Sequence, residues 1–382
     1  MDFELSEEQR LLKDSVERLL ADRYGFEARQ GFLREPEGWS RALWQRYAEL
    51  GLTGLPFAEA HGGFGGGPVE VMIVMEAFGR ALALEPYLAS VVLGGGAVRL
   101  GGSEAMRSAV LPGVAAGERK LAFAHAERQA RYDLADVAAT ARRDGGGYVL
   151  DGAKSLVLHG DAADQLVVSA RLTGAQRDAQ GLGLFLVDAA APGVTRRGYA
   201  MVDGLRAAEV TLANVRVDAT AAIGEPGEAF RLIAQVVDQG IAALCAEAVG
   251  ALAAMHELTV EYLRTRKQFG VPIGSFQVLQ HRAAEMLIGV EQARSMAMLA
   301  TMMAEEGDAT ERAKAIAAAK VQIGRSARAV GQAAIQLHGG IGMTMEYQVG
   351  HYFKRVTAID TMFGDADHHL ARLARMGGLI AA

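Results

Sequence analysis

The spacing of apolar residues changes twice along the chain, and this limits the possible folds more than any other feature. Apolar side chains recur at helical intervals up to about residue 118 and again from about residue 226. Between these positions lie short apolar and β-branched runs that Gly and Asp separate. The sequence therefore predicts three domains: an N-terminal α-helical domain (1–118), a middle β domain (119–225) and a C-terminal α-helical bundle (226–382).

The middle segment predicts an antiparallel sheet, because its short strands follow one another without intervening helical runs. The C-terminal segment predicts long helices joined by short Gly or Pro breaks, as in a four-helix bundle. The four candidates are Phe230–Lys267, Phe276–Glu306, Ala309–Leu337 and Glu346–Phe363. The predicted fold class is thus α+β.

Composition and charge exclude several classes of protein. With 51% hydrophobic residues in 382 positions, the chain can form several cores, which excludes global disorder. A formal net charge of −6 argues against nucleic-acid binding, and the one cysteine, Cys245, excludes a disulfide framework. No apolar run reaches about 20 residues, so no membrane insertion is predicted. The acidic start, Met1–Glu4, lacks a signal-peptide pattern, which predicts a cytoplasmic protein.

Two helix breaks carry residues suited to binding a phosphate. The first places Arg266 shortly before Phe269 and Gly270, and the second follows His338 with Gly339 and Gly340. An arginine offers charge-assisted hydrogen bonds, and glycine lets backbone N–H groups approach a ligand closely. Either break alone is also compatible with ordinary helix capping or chain turning. Two such breaks at the ends of long helices in one bundle are more specific than either alone.

Together the two breaks resemble the acyl-CoA dehydrogenase family. The pattern reads Arg-x-x-Phe-Gly, x-x-Ile-x-x-Phe-Gln, followed later by Gln-x-His-Gly-Gly-x-Gly and x-x-x-Glu-Tyr. Here it comprises Arg266, Phe269, Gly270, Ile273, Phe276 and Gln277, then Gln336, His338, Gly339, Gly340, Gly342, Glu346 and Tyr347. The resemblance extends over nearly the whole chain, since the helical–β–helical order is that family's architecture. Within the family, the chain is similar to the small subunit of two-subunit enzymes for dicarboxylyl-CoA substrates such as pimeloyl-CoA.

The resemblance implies an FAD-dependent oxidoreductase acting on CH–CH donors, as in fatty acid β-oxidation. In the family, a carboxylate removes the α-proton of an acyl-CoA substrate and a hydride passes from the β-carbon to the flavin. The product is a trans-2-enoyl-CoA, and electron-transferring flavoprotein reoxidises the flavin. The residues that the resemblance assigns to FAD binding are Arg266, Phe269, Phe276, Gln277, Gln336, Leu337, Gly339 and Gly340.

Other positions depart from the family pattern. Ala126–Asp133 replaces Thr-Glu-Pro-x-x-Gly-Ser-Asp, and Lys154–Gly160 replaces Lys-x-Trp/Phe-Ile-Thr-Asn-Gly, so the hydroxyls and the aromatic side chain that face the flavin ring are missing. The two family positions for the base hold Phe363 and Gly240, which cannot accept a proton. These departures predict a helper subunit paired with a homologous large subunit in a heterotetramer, with a homo-tetramer as the alternative.

Glu247 is the remaining candidate for the catalytic base. It is the one charged residue of the apolar run Ile241–Met255 and lies seven residues, about two helical turns, from Gly240. Burying an unpaired carboxylate costs several kcal/mol, so Glu247 is predicted to be neutral, paired or functional. The alternative to catalysis is a structural hydrogen bond or salt bridge inside the bundle.

The C-terminal segment also concentrates potential metal ligands, namely Asp360, Asp365, Asp367, His368 and His369. We assign no metal to them, because adjacent histidines on a helix point about 100° apart and rarely share one ion. A metal-dependent hydrolase and a non-redox interaction protein that keeps only the fold are the competing function classes.

Overall fold

The chain runs from short helices through β-strands to long helices in the computed structural model, which describes residues 5–377. This order confirms the α+β class with helical N-terminal and C-terminal parts and a middle β part. Contacts divide the described residues into two compact units. A helical unit comprises 5–31, 68–83 and 241–377, and a sheet unit comprises 32–67 and 84–240. The domain boundaries after residues 118 and 225 remain predictions from the spacing of apolar residues.

The N-terminal helices begin where the sequence offers caps. Before the first helix, the Ser6 hydroxyl accepts a hydrogen bond from the Gln9 N–H (3.2 Å), and the Gln9 side chain accepts one from the Ser6 N–H (3.0 Å). This reciprocal pair satisfies two N–H groups that the first turn leaves free. The helices are α1 (Glu7–Arg23), α2 (Phe26–Phe32), α3 (Arg41–Glu49), α4 (Pro68–Ala81), α5 (Gly96–Gly101) and α6 (Glu104–Ala115).

A buried π-helix, Leu88–Gly95, precedes α5 directly. The Ser90 hydroxyl in this segment accepts a hydrogen bond from the Leu121 N–H at 3.0 Å. A Cβ atom at Gly94 would lie 2.5 Å from the Leu121 Cβ atom, so only glycine fits there. The π-helix therefore packs directly on the first strand of the sheet.

One mixed sheet forms the centre of the sheet unit. Its strands are β1 (Leu121–Ala124), β2 (Thr140–Asp144), β3 (Gly147–Leu158), β4 (Gln165–Arg171), β5 (Leu182–Asp188), β6 (Val194–Ala200), β7 (Arg206–Asp218) and β8 (Ala222–Gly227). The strand order is β6-β7-β3-β2-β4-β5-β8, and most neighbours are antiparallel, as predicted. The exceptions are β1, which pairs with β4 in parallel, and a single parallel pairing between β2 and β4.

The C-terminal helices match the predicted runs closely at their ends. They are α7 (Phe230–Thr265), α8 (Gln277–Met303), α9 (Ala309–His338), α10 (Val349–Thr361) and α11 (Ala366–Met376). The prediction of four helices was incomplete, because the described residues include α11 as a fifth. Its first turn is capped by Asp365, whose carboxylate accepts a hydrogen bond from the His368 N–H at 2.8 Å. Helix α9 packs against α8, α10 and α11.

Two glycines let α4 and α7 cross at very short range within the helical unit. A Cβ atom at Gly79 would lie 1.8 Å from the backbone oxygen of Glu247. A Cβ atom at Gly250 would lie 1.8 Å from the backbone oxygen of Glu76. The close crossing fixes the part of α7 that carries Glu247.

Among the described residues, α7 is long and apolar enough to cross a membrane. The expectation that no apolar segment is long enough to span a membrane was therefore wrong for this helix. However, 94% of its most apolar window is buried inside the protein, as in the core helix of a globular protein.

Candidate functional site

The first predicted break lies in a tight hairpin directly after α7. Strands β9 (Lys267–Gln268) and β10 (Val271–Pro272) pair around Phe269 and Gly270, both of which have positive φ. Arg266 enters the hairpin, and its backbone oxygen accepts a hydrogen bond from the Ile273 N–H at 2.8 Å. The guanidinium of Arg266 is exposed, and within residues 5–377 no carboxylate pairs with it. It is therefore a cation available to a ligand or a partner.

Aromatic and amide side chains accompany Arg266. Phe269 is 92% exposed, and its ring lies edge-on to that of Phe276, with 6.2 Å between ring centroids. Gln277 begins α8 and is exposed. The structure thus brings Phe269, Phe276 and Gln277 together beside Arg266, on an open surface.

The second predicted break ends α9. Gly339 has a φ of +63°, and it opens the short 3₁₀ turn Gly339–Met343. A Cβ atom at Gly339 or Gly340 would meet no atom within 4 Å, so the backbone there is open to a ligand. Gln336 is exposed, whereas Leu337 is buried and contributes packing. The Gly339 N–H already donates to the Gln336 backbone oxygen, so the turn offers an incoming group the open backbone at Gly340 and the amide side chain of Gln336.

The segment after β1 and the end of β3 hold the residues that the family pattern places against a flavin ring. Ala126, Leu156 and Leu158 stand where hydroxyl and aromatic side chains would be expected. None of these three can donate a side-chain hydrogen bond.

The polar residues near these positions bond to one another. The Lys154 ammonium donates to the Glu127 carboxylate (2.6 Å) and to the Ser169 hydroxyl (3.0 Å), and His125 Nδ1 lies 2.9 Å from that hydroxyl. All four side chains are buried. Burial lowers the pKa of Lys154 to about 8 and that of His125 to about 3. Burial alone would raise the pKa of Glu127, but Lys154 holds it below its usual value. This network supports the sheet and does not replace the missing hydroxyls.

The two family positions for the base contain no ionisable group. Phe363 is half-buried in a turn with a φ of +56°, and its backbone oxygen accepts a hydrogen bond from His369 Nε2 at 3.0 Å. The Lys320 ammonium lies fully buried and donates to the backbone oxygens of Ile359, Asp360 and Gly364 at 2.7–2.8 Å. These hydrogen bonds stabilise the turn, although the side chain of Phe363 is apolar. Gly240 lies buried within α7.

Glu247 is engaged in a bidentate ion pair. Arg355 on α10 donates from Nε and Nη2 to the two carboxylate oxygens, at 2.5 Å and 2.7 Å. Both side chains are almost fully buried. The geometry therefore corresponds to the structural salt bridge that the sequence left open for Glu247. Arg355 was missed, although its position shows it: it lies at helical spacing among the buried residues Tyr352, Val356 and Ile359.

The acidic and histidine residues of the C-terminal segment have structural contacts. Besides the Asp365 cap, an Asp360 carboxylate oxygen accepts a hydrogen bond from the Ala366 N–H at 3.2 Å. Burial lowers the pKa of His369 to about 3. In the part of the chain that the structure describes, no three His, Cys, Asp or Glu side chains are grouped as metal ligands would be. These residues organise the turn between α10 and α11.

Family models match all three parts of the chain. The acyl-CoA dehydrogenase N-terminal domain matches residues 6–118, the middle domain 122–217 and the C-terminal domain 227–377. The chain is also 34% identical over 351 residues to acyl-CoA dehydrogenase FadE12 of Mycobacterium tuberculosis, covering 90% of this chain and 89% of that protein. The chain belongs to the acyl-CoA dehydrogenase family. It is also 28% identical to probable acyl-CoA dehydrogenase YngJ of Bacillus subtilis, with 98% of each chain covered.

Solved structures have a similar fold over nearly the full length of this chain. The glutaryl-coenzyme A dehydrogenase glutaryl-CoA complex has a TM-score of 0.92 at 25% identity, covering 100% of this chain and 98% of that one. The Tcur3481–Tcur3483 steroid acyl-CoA dehydrogenase has a TM-score of 0.88 at 30% identity, with 98% of each chain covered. The ChsE4–ChsE5 complex from M. tuberculosis has a TM-score of 0.88 at 27% identity, with full coverage.

The family consists of oxidoreductases acting on CH–CH donors, and its cofactor is FAD. When bound, FAD supplies the hydride acceptor for such an oxidation. The residues at the two helix breaks fit the phosphate-bearing half of this cofactor, because they combine an exposed guanidinium, unpaired among residues 5–377, with an open glycine backbone. At the positions that the family pattern places against the ring half, Ala126, Leu156 and Leu158 have side chains that cannot form hydrogen bonds.

Proposed function

We propose that this chain is the helper subunit of a heteromeric acyl-CoA dehydrogenase. It binds the phosphate and adenine half of an FAD molecule that a homologous catalytic subunit holds by its ring. The partner subunit supplies the proton-abstracting carboxylate. The assembled enzyme converts an acyl-CoA into the trans-2-enoyl-CoA and passes electrons to electron-transferring flavoprotein, as one oxidation step of fatty acid β-oxidation.

The observation that carries this proposal is the contrast between the two halves of the flavin site. At the helix breaks, Arg266 is exposed and has no ion-pair partner in the described part of the chain, and Gly339 is open. At the ring half, Ala126 and Leu158 cannot hydrogen-bond a cofactor through their side chains. A subunit that only contributes to a neighbour's flavin needs the first set and can lose the second.

The lack of a residue that can readily accept a proton at the family's base positions also supports the helper role. Phe363 and Gly240 are non-ionisable, and Glu247 would have to leave its ion pair to accept a proton. Doing so would leave the Arg355 guanidinium buried without its anion, at a cost of several kcal/mol. Positioned general-base catalysis is worth about 10²–10⁴-fold, so a chain without it is a poor dehydrogenase alone.

Two of the similar structures support a two-chain enzyme. Their names join two different chains, Tcur3481 with Tcur3483 and ChsE4 with ChsE5. We extend this arrangement to the present chain and propose a heterotetramer with a homologous large subunit. For the substrate we propose a dicarboxylyl-CoA such as pimeloyl-CoA. This assignment rests on the resemblance to small subunits of that type and on the similar fold of the glutaryl-CoA complex.

The proposal is tested by flavin content and turnover with and without the partner. We expect the purified chain alone to show little flavin absorbance and little pimeloyl-CoA oxidation. Co-expression with a homologous subunit that has an intact base should yield a complex with one FAD per pair of unlike chains. Full flavin occupancy and ordinary turnover of the single chain would overturn the helper role and favour a homomeric enzyme. A complex without flavin or turnover would favour the alternative of a non-redox protein that keeps the fold.

Arg266→Ala tests the contact itself. Hydrogen bonds to charged groups contribute about 1.5–3 kcal/mol, so the Kd for FAD should rise roughly 10- to 150-fold in the complex. Arg264→Ala is the matched control, because Arg264 is an exposed arginine two residues earlier on α7. Equal FAD affinities for the wild type and Arg266→Ala would refute the assignment of Arg266.

A further inference from the structure

Three closely packed rings lie between the two helix breaks. The His338 ring, at the end of α9, stacks on the Tyr262 ring of α7 with 4.6 Å between centroids and 30° between planes. On another side lies the ring of Tyr347, 5.1 Å away and tilted by 46°. Tyr262 and Tyr347 also approach each other, at 6.4 Å. The result is a compact aromatic stack of Tyr262, His338 and Tyr347.

Each ring is connected along the chain to one of the two helix breaks that we propose to bind FAD. The backbone oxygen of Tyr262 accepts a hydrogen bond from the Arg266 N–H at 2.9 Å, one helical turn along. His338 immediately precedes Gly339, and Tyr347 follows the 3₁₀ turn that Gly339 begins. The stack thus spans Arg266 on one side and both ends of the glycine turn on the other.

The His338 ring is buried and held in one orientation. Only 3% of His338 is exposed, and its Nδ1 lies 2.8 Å from the backbone oxygen of Ala334. A carbonyl oxygen only accepts, so Nδ1 carries the proton in this contact. Burial lowers the pKa of His338, which keeps the ring neutral at physiological pH. The histidine therefore acts here as a flat packing element and not as a charge.

The first two residues of the glycine turn have little packing of their own, whereas Gly342 farther along is buried. Cβ positions at Gly339 and Gly340 touch nothing within 4 Å, and glycine has the largest backbone freedom to lose. Farther along the chain, His351 Nε2 lies within hydrogen-bond distance, 3.0 Å, of the backbone oxygen of Met345. At the start of the turn, the stacked rings provide the fixed surface.

We propose that the aromatic stack is a positioning element for FAD, with His338 as its central positioning residue. It sets the distance between the Arg266 guanidinium and the Gly339–Gly340 backbone, so that both can contact one flavin at once. This inference rests on the proposed function. Fixing both contacts before FAD arrives lowers the ordering cost of binding.

Hydrogen–deuterium exchange on the full chain without flavin tests the first half of the inference. His338→Ala should increase the exchange rate of the amides of residues 339–345 by about tenfold or more, because it removes the central ring. His338→Phe keeps a flat ring and should exchange within about twofold of the wild type. His256→Ala is the control, since His256 lies on α7 and its Nε2 lies 3.2 Å from the backbone oxygen of Ala283 on α8. Unchanged exchange in His338→Ala would overturn the inference.

FAD affinity of the assembled complex tests the second half. We expect His338→Ala to raise the Kd for FAD about tenfold, which corresponds to the strength of an aromatic contact, and His338→Phe to restore it. Unchanged affinity in His338→Ala, or failure of His338→Phe to restore it, would refute the positioning role. If the wild-type complex binds no FAD, the proposed function fails. The exchange experiment then still decides whether the stack holds the turn.

Discussion

The ion pair between Glu247 and Arg355 allows catalysis and structure to be separated by one double-mutant cycle. Arg355→Met removes the guanidinium that donates to both Glu247 oxygens in a buried site. Breaking such a pair costs about 3–5 kcal/mol, because the remaining charge stays buried without its partner. For a cooperative unit of about 150–250 residues, 1 kcal/mol shifts Tm by about 2–4 °C, so a fall of roughly 6–20 °C is expected.

Removing both charges should have a much smaller effect. In Glu247→Leu/Arg355→Met, apolar side chains of similar size replace the pair, and such exchanges are often neutral or stabilising. Thermal denaturation of the wild type, both single variants and the double variant gives the coupling energy of the pair. Additive single effects would contradict the ion pair as the source of stability.

The same double variant decides the catalytic question, since it folds without a carboxylate at position 247. We expect the assembled enzyme that contains it to oxidise acyl-CoA at close to the wild-type rate, because in the proposed heteromer the partner subunit supplies the base. A loss of about 10²–10⁴-fold in kcat at unchanged Tm would show that Glu247 is the general base and would refute the structural interpretation.

Two further predictions concern stability. Gly79→Ala should destabilise the protein by at least about 1–3 kcal/mol in urea denaturation, because its Cβ atom would lie 1.8 Å from the Glu247 backbone oxygen. Gly307→Ala, where a Cβ atom meets nothing within 4 Å, is the neutral control, and equal stabilities would contradict the close helix crossing. Burial lowers the pKa of His369 from 6.5 to about 3, so the unfolded state binds the extra proton and stability falls as pH drops below 6.5. Between pH 7 and 5 the wild type should therefore lose about 2 kcal/mol more than His369→Gln, whereas exposed His281→Gln should follow the wild type; parallel pH profiles for all three would refute this origin.

Local sequence signals predicted the helices well. The Ser6–Gln9 capping box begins α1, and α9 ends within one residue of its predicted limit. These features depend on side-chain spacing and on contacts a few residues apart, which the sequence displays directly. The parallel pairing of β1 with β4 could not be read in this way. The apolar residues of a short strand indicate that the strand is buried, but they do not indicate which strand it pairs with.

Long-range contacts explain what the sequence could not show about the site. The motif residues lie at the ends of α7 and α9 as predicted, because glycines and cations mark helix ends. The partner of Glu247, however, is 108 residues away, and Tyr262 and His338 are separated by 76 positions. Spacing along the chain carries no information about such pairs. The helical spacing of Arg355 among apolar residues of α10 nevertheless indicates that this arginine lies on the buried face of the helix.

The exposed hairpin after α7 provides the last physical argument for a partner. Phe269 is 92% exposed in a left-handed conformation, and Arg266 beside it has no carboxylate partner within residues 5–377. Phe269 buries little area, and a non-glycine residue at positive φ is itself unfavourable. Features that cost stability in the isolated subunit are expected where another molecule uses them. A bound phosphate for Arg266 and a covered apolar surface for Phe269 would account for both.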